Sequence, residues 1–380
     1  MSIEWDPSEA VNMAMADPRR DTLRDASSPT PRGSVGSETL WVRSKKLLSF
    51  RNISAIYIFI AIVLVFSWLI PATFLSTSTW RTLLDNQVIT GLAALALLVP
   101  LASGVFNLAI GVQVGAGSIL SAYLLVDAGL PGPMVIVLTL FSGVVIGAAS
   151  AFLIVQVRID SFIATLGVSS LLAAGITAIS NAQQILGVPD SFANFGVANA
   201  GGITYSFILL MLVAIVLWYL LERTPSGRRV YATGGNIDAA RLSGVNTTVV
   251  IYGSLMACGS IAALAGILLT SRLGNADPTI GPAFLVPAFT AAFLGSTQFR
   301  GGRFNVWGTM VSVYVLAAGV KGLQLWGAPI WIPDAFNGFS LLLAVGLAKF
   351  QGGDGYRLIR RTLRLGSRAA SRTLDAPTDE

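Results

Sequence analysis

The sequence has no histidine, a single cysteine and very little charge, and each scarcity narrows what the chain can do. Without histidine it lacks the commonest metal ligand, the usual general base and the usual proton relay. One cysteine, Cys258 in an apolar stretch, excludes an internal disulfide and any cysteine-rich metal site. Charged residues are only 12% of the 380, about half of what a soluble domain of this size carries. Their place is taken by hydrophobic residues at 54%, and the mean hydropathy is +0.71. That composition belongs to a polytopic membrane protein. Its 39 glycines suit helices that approach closely, because lipid supplies no hydrophobic drive and small residues permit tight van der Waals contact.

Catalytic signatures are missing as well. No Gly-x-x-x-x-Gly-Lys-Ser/Thr phosphate loop occurs, so if ATP drives the protein the ATPase is another chain. Nor is there a Gly-x-Ser-x-Gly elbow, a His-Glu-x-x-His zinc motif or a Cys-x-x-Cys pair. A membrane enzyme with this inventory is poorly equipped for acid–base work.

About twenty apolar residues cross the hydrocarbon core as a helix. The chain offers such stretches near 53–71, 86–105, 108–126, 133–156, 161–181, 204–222, 248–270, 284–298, 304–323 and 334–350. These predict an all-α protein of about ten transmembrane helices. The glycine-rich 108–126 stretch and the short 284–298 stretch, which holds Pro287, are candidates for broken or re-entrant segments. Lys and Arg gather on the cytoplasmic side of membrane proteins. With both termini cytoplasmic, only Arg81, Arg272 and Lys321 of the 25 basic residues lie on or towards the outer side. The reverse orientation would export Arg223, Arg228, Arg229, Arg241, Arg300 and Arg303.

The domain organisation follows. Residues 1–50 read as a disordered cytoplasmic tail with a basic end, without the features of a cleaved signal peptide. Residues 51–350 form the transmembrane domain, and 351–380 a basic tail whose arginines repeat at helical spacing from Arg357 to Arg368. Both basic runs suit anchoring on anionic membrane lipid, and the +6 net charge is explained by topology without nucleic acid. Ionisable side chains are nearly absent from the spans, so the buried carboxylate or histidine relay of a proton-coupled carrier is missing. Sodium coupling through the carbonyls of a broken helix stays open.

The longest basic loop, 223–247, holds a short helix signal. Asn236 can cap its first turn, Asp238 suits the positive end of the dipole, and Gly244 can end it in a left-handed conformation. Ala239 and Ala240 between them are small enough for another surface to approach, either a cytosolic partner or none if the segment is an ordinary connector.

The run Arg-Arg-Val-Tyr-Ala-Thr-Gly-Gly-Asn-Ile-Asp-Ala-Ala-Arg-Leu-Ser-Gly-Val-Asn at 228–246 resembles the coupling loop of the ribose/xylose/arabinose/galactoside permeases of ATP-binding-cassette importers. The likeness continues through 265–278 and 301–309 and covers most of 50–350. It implies a coupling element of Gly234, Gly235, Asn236, Asp238, Ala239, Ala240, Arg241, Leu242, Ser243 and Gly244 resting on a cytoplasmic ABC ATPase subunit. It further implies ATP and magnesium on that partner, with no cofactor here. A second permease copy, identical or not, and a periplasmic or lipid-anchored sugar-binding protein complete the implied assembly, in a bacterial inner membrane.

The chain departs from its relatives at two places. Where many have Gly-Gly-Ile-Asp-Leu-Ser-Val-Gly, it has Ser103-Gly-Val-Phe-Asn-Leu-Ala-Ile-Gly111, so the acidic position is Asn107 and the serine Ala109. An acidic pair before Gly-Gly is replaced by Leu285, Pro287 and Gly295-Ser296. Asn107 and Gln113 are candidates for the translocation pathway, with interhelical hydrogen bonding as the alternative for both. The expected function is inward movement of a monosaccharide or similar small polar solute. A stand-alone secondary carrier or channel is the alternative.

Overall fold

The structure, a computed structural model, describes residues 54–200, 203–297 and 302–351. The tail 1–50, the arginines from 357 onward and Arg300 lie outside the described residues. Ten helices fall on the ten predicted segments. They are α1 (Ser54–Leu69), α4 (Val88–Ala102), α5 (Ile110–Val126), α6 (Gly132–Val155), α7 (Ser161–Ser180) and α9 (Tyr205–Arg223), followed by α12 (Thr247–Leu273), α13 (Leu285–Ser296), α14 (Val306–Leu325) and α15 (Ile332–Gln351). Helices α2 (Pro71–Phe74), α3 (Thr77–Asn86), α8 (Asp190–Val197), α10 (Pro225–Gly235) and α11 (Ile237–Leu242) lie in the connections. Two-residue strands pair antiparallel in the same regions, β1 (Ile185–Leu186) with β4 (Asn275–Ala276) and β2 (Asn199–Ala200) with β3 (Ile203–Thr204).

Length and apolarity qualify fewer of these as crossings than the sequence suggested. Among the described residues α6, α7, α9, α12 and α14 are long and apolar enough, and α3 with α4 makes a sixth if the pair, bent by 41°, is one span. Helices α1, α5 and α13 are shorter, and the apolar part of α15 runs only from Ile332 to Gly346. Helix α13, at 12 residues, rises roughly 18 Å, well short of the ~30 Å hydrocarbon core. A 3₁₀ turn at Gly281–Phe284 precedes it, so the 284–298 segment does start at a break. The 108–126 segment, by contrast, is one continuous helix from Ile110 despite its glycines.

Helix α4 is the centre of the bundle. Every residue in it is buried except Thr90, as expected for a helix apolar all round. Helix α12, about 40 Å long, is held against its neighbours by glycines on both partners. A Cβ on Gly259 would lie 2.0 Å from the Gly143 carbonyl oxygen of α6, and one on Gly147 2.2 Å from that of Leu255. On another face Gly266 meets the α5 backbone at Val114 and Ser118, and Gly117 meets Ala263. Hydroxyls follow the same seam: Ser103 Oγ is 3.1 Å from Ser254 Oγ, and Ser118 Oγ is 2.8 Å from Thr270 Oγ1. Small residues set the separation and polar ones lock the register.

At the end of the bundle carrying β1 and β4, Asp277 fastens the connection after α12. Its carboxylate accepts the Thr279 amide at 2.8 Å, the Thr279 hydroxyl at 2.7 Å and the Gln184 amide at 2.8 Å. The Thr279 amide chiefly, then its hydroxyl and Gln184, hold this exposed carboxyl below its ordinary value. A depressed carboxylate stabilises the fold above the unfolded value and loses that contribution as pH falls through the folded one. Hydrogen-exchange protection around 184–186 should therefore persist on acidification to roughly pH 4, the ordinary aspartate range, and drop only below it. Asp277→Asn should lessen that protection at neutral pH.

Candidate functional site

The 223–247 connection folds into two short helices at a sharp corner. Thr224 caps α10, accepting the Gly227 amide at 3.4 Å, and Pro225 fills the first turn where no N–H is needed. Asn236 is extended and caps α11, its Oδ1 accepting the amides of Asp238 at 3.0 Å and Ala239 at 2.9 Å. Gly244, at φ 81°, closes the helix, and the Val245 amide reaches back to the Ala240 carbonyl at 3.0 Å.

Burial divides the predicted residues into two sets. Asn236, Asp238, Ala239, Arg241, Leu242, Ser243 and Gly244 face outward, and Leu242 is 91% exposed. Ala240 does not share this face: it is 5% exposed and points into the protein, because the i to i+1 step turns it a hundred degrees from Ala239. The expectation that both alanines present a small outer surface is thus corrected for Ala240. Arg241 joins α11 to α12 by donating from Nε to the buried Thr247 hydroxyl at 2.9 Å.

Helix α10 connects this surface to the interior by two contacts. Gly234 sits against the end of α4, where an added Cβ would be 2.2 Å from the Ala102 carbonyl oxygen, and faces Gly104, itself at φ 83°. Gly235 beside it has open space. Tyr231 donates its hydroxyl to the Phe304 carbonyl at 2.7 Å, and the Arg303 guanidinium lies 4.2 Å over the Tyr231 ring. The loops gripped this way, 103–109 and 302–305, carry Phe106 and Phe304 into one aromatic group. Phe106 stacks on Phe162 at 4.4 Å between centroids and on Phe293 at 6.4 Å, and Phe304 meets Phe293 edge-on at 5.5 Å. Sequence reading missed this group, whose only linear trace is the i, i+4 pair Phe289 and Phe293.

Asn107 and Gln113, six residues apart, come together. Asn107 Nδ2 donates to Gln113 Oε1 at 3.0 Å and to Cys258 Sγ at 3.2 Å, while Asn107 Oδ1 accepts the Ala109 amide at 3.1 Å. Both side chains are buried, and among the described residues Gln113 Nε2 has no hydrogen-bond partner. Asn107 therefore ties the α4–α5 loop to α12. Asn107→Leu should cost roughly 2 kcal/mol of fold stability, since it strands Gln113 in an apolar interior; thermal unfolding in detergent reads this directly. Among the described residues no group of Cys, Asp and Glu is placed to hold a metal ion.

Residues 82–345 match a family model described as the permease component of the branched-chain amino acid transport system. The chain belongs to this permease family. Its relatives include the ribose import permease of Bacillus subtilis, 33% identical over 287 residues, covering 75% of this chain and 88% of the relative. The autoinducer 2 import system permease of Yersinia enterocolitica is 31% identical over 267 residues, 69% of this chain and 80% of the relative. The corresponding permease of Photorhabdus luminescens is 30% identical over the same length. No solved structure matches. The permease is a membrane-spanning subunit of an ATP-binding-cassette importer, as the motif at 228–246 implied.

Proposed function

We propose that the permease carries a monosaccharide or similar small hydroxylated solute inward across a bacterial inner membrane, driven by ATP hydrolysed with magnesium on a separate cytosolic chain seated on α11. The observation that carries this reading is the exposed, doubly capped α11 and its rigid connection through α10 to two interior loops. A partner that displaces α11 displaces Gly234 and Tyr231, and with them the loops bearing Phe106 and Phe304. That is a two-state element biased by a ligand on the partner. The ribose and autoinducer 2 named for its relatives are small and hydroxylated, in keeping with a pathway poor in charge.

The wider arrangement belongs to the same proposal. About ten crossings with both termini cytoplasmic place α10 and α11 inside, where their arginines satisfy the positive-inside rule, and the Asp277 connection outside. Shorter helices such as α13 then cross within protein and not against lipid. A second permease copy completes the pathway, and a periplasmic or lipid-anchored binding protein delivers solute. Asn107 and Gln113 border the pathway's inner half, supported by the unpartnered Gln113 amide nitrogen.

Purification of the tagged permease from its native membrane in gentle detergent tests the reading. A co-purifying ATPase with its own phosphate loop is the expected result, and ATP-dependent uptake in reconstituted vesicles should follow. A chain that emerges alone and transports without ATP would overturn it. Tyr231→Phe, which removes the 2.7 Å bond to Phe304, should reduce uptake several-fold while membrane levels stay normal. Unchanged uptake in that variant would show that this contact transmits nothing.

A further inference from the structure

Three uncharged polar side chains, Gln87, Thr90 and Asn337, converge on a cavity of about 140 Å³ at the end of the bundle opposite α11. Gln87 stands at the 41° bend between α3 and α4, Thr90 is the one residue of α4 that is not buried, and Asn337 lies in the second turn of α15. All three are half-buried, and among the described residues their side chains make no hydrogen bond; the Asn337 backbone carbonyl accepts the Thr290 hydroxyl at 3.4 Å. They differ in this from Asn107, whose amide is satisfied internally. Amide and hydroxyl groups left unpaired within a membrane-embedded bundle are costly unless water or a solute meets them.

The other walls fit the same guest. One face of α14, Val313, Leu316, Ala317 and Val320 at helical spacing, supplies an aliphatic side, and Pro287 of α13 a second. Among the described residues no Asp, Glu, Lys or Arg lines the cavity. Its volume lies below the roughly 300–1,000 Å³ usual for drug-sized ligands. Donors and acceptors opposite an aliphatic wall, without charge, match a small molecule with hydroxyls on one side and C–H on the other. The broken elements around it, the α3–α4 bend and the Pro287 turn, are the kind of discontinuity that lines solute sites in transporters.

We propose that Gln87, Thr90 and Asn337 form a subsite for a small uncharged polyhydroxylated solute on the outer half of the pathway. It rests on the transport reading above for its direction, since the orientation given there makes this end the entrance. Asn107 and Gln113 lie further along.

Cysteine chemistry tests it cleanly, because the native Cys258 is fully buried and gives no background. Full-length Thr90→Cys and Asn337→Cys permeases in right-side-out membrane vesicles should react with a membrane-impermeant methanethiosulfonate. Millimolar ribose, xylose or galactose should slow that reaction several-fold. In parallel, Thr90→Val and Asn337→Leu should lower kcat/KM for uptake of whichever of these sugars the wild type carries by about tenfold, as loss of a hydrogen-bonding group from a polar site does. Their membrane levels should be normal. Cysteines that do not react, or that react at a rate no sugar alters while the wild type transports one of them, overturn the subsite and leave the transport reading standing. Protection by one of these sugars when the wild type imports none of them supports the subsite and overturns these sugars as the cargo.

Discussion

Gly259→Leu is expected to leave almost no assembled permease, whereas Gly253→Leu on the same helix leaves it nearly normal. The contrast follows from what each side chain would meet. A Cβ at Gly259 lies 2.0 Å from the Gly143 carbonyl oxygen and 3.2 Å from the Gly147 amide nitrogen, all backbone of α6. Among the described residues nothing lies within 4 Å of the Gly253 position. Backbone cannot rotate out of the way, so the cost exceeds the about 1–3 kcal/mol usual for overpacking. Since α12 also holds α5 through Gly266 and meets α4 through Ser254 and Ser103, parting it from α6 loosens the core on several sides. Size-exclusion profiles of detergent-extracted protein give the readout. Equal monodisperse yields for the two variants would mean that α6 and α12 are not in this contact.

The second large effect concerns coupling. Ala239→Glu and Leu242→Glu place a charge on the outward face of α11, where both residues are exposed, while the caps at Asn236 and Gly244 stay intact. Fold stability should change by less than about 0.5 kcal/mol, as for surface substitutions elsewhere. A charge buried without a partner in a protein interface, however, costs several kcal/mol. Uptake and solute-stimulated ATP hydrolysis should both fall at least about a hundredfold, with normal amounts of permease in the membrane. Normal uptake would remove α11 as the docking helix. Ala240→Glu would be ambiguous here, because the Ala240 side chain is buried and the variant tests folding as well.

Composition and one loop carried most of the functional reading. The absence of histidine, the scarcity of charge and the missing phosphate loop left this chain without the residues of most catalysts and without a nucleotide-binding loop of its own. The capping residues at Asn236 and Gly244 marked α11 because cap chemistry is local: it depends on residues within one turn. The positions of the ten apolar helices were legible for the same reason, since a run of apolar residues is a linear property. Their lengths were less so. Where a helix starts or bends depends on neighbours, as at Gln87 between α3 and α4 and at the 3₁₀ turn before α13.

What the sequence could not show were relations between distant segments. The side to which Ala240 turns is set by how α11 lies against the start of α12, where Arg241 meets Thr247. Asn107 and Gln113 read as separate polar candidates, and the fold makes them one hydrogen-bonded pair. Gln87, Thr90 and Asn337 carry no motif and span 250 positions, so only the packing of α4, α14 and α15 brings them to one cavity. The sequence by itself determined the class of molecule, its apolar helices and its likeness to importer permeases, because those rest on composition and local pattern. The tertiary structure alone decided which glycines press on a neighbouring backbone, which polar groups are buried and which line a cavity. Those depend on interhelical distances of a few ångströms that no single segment encodes.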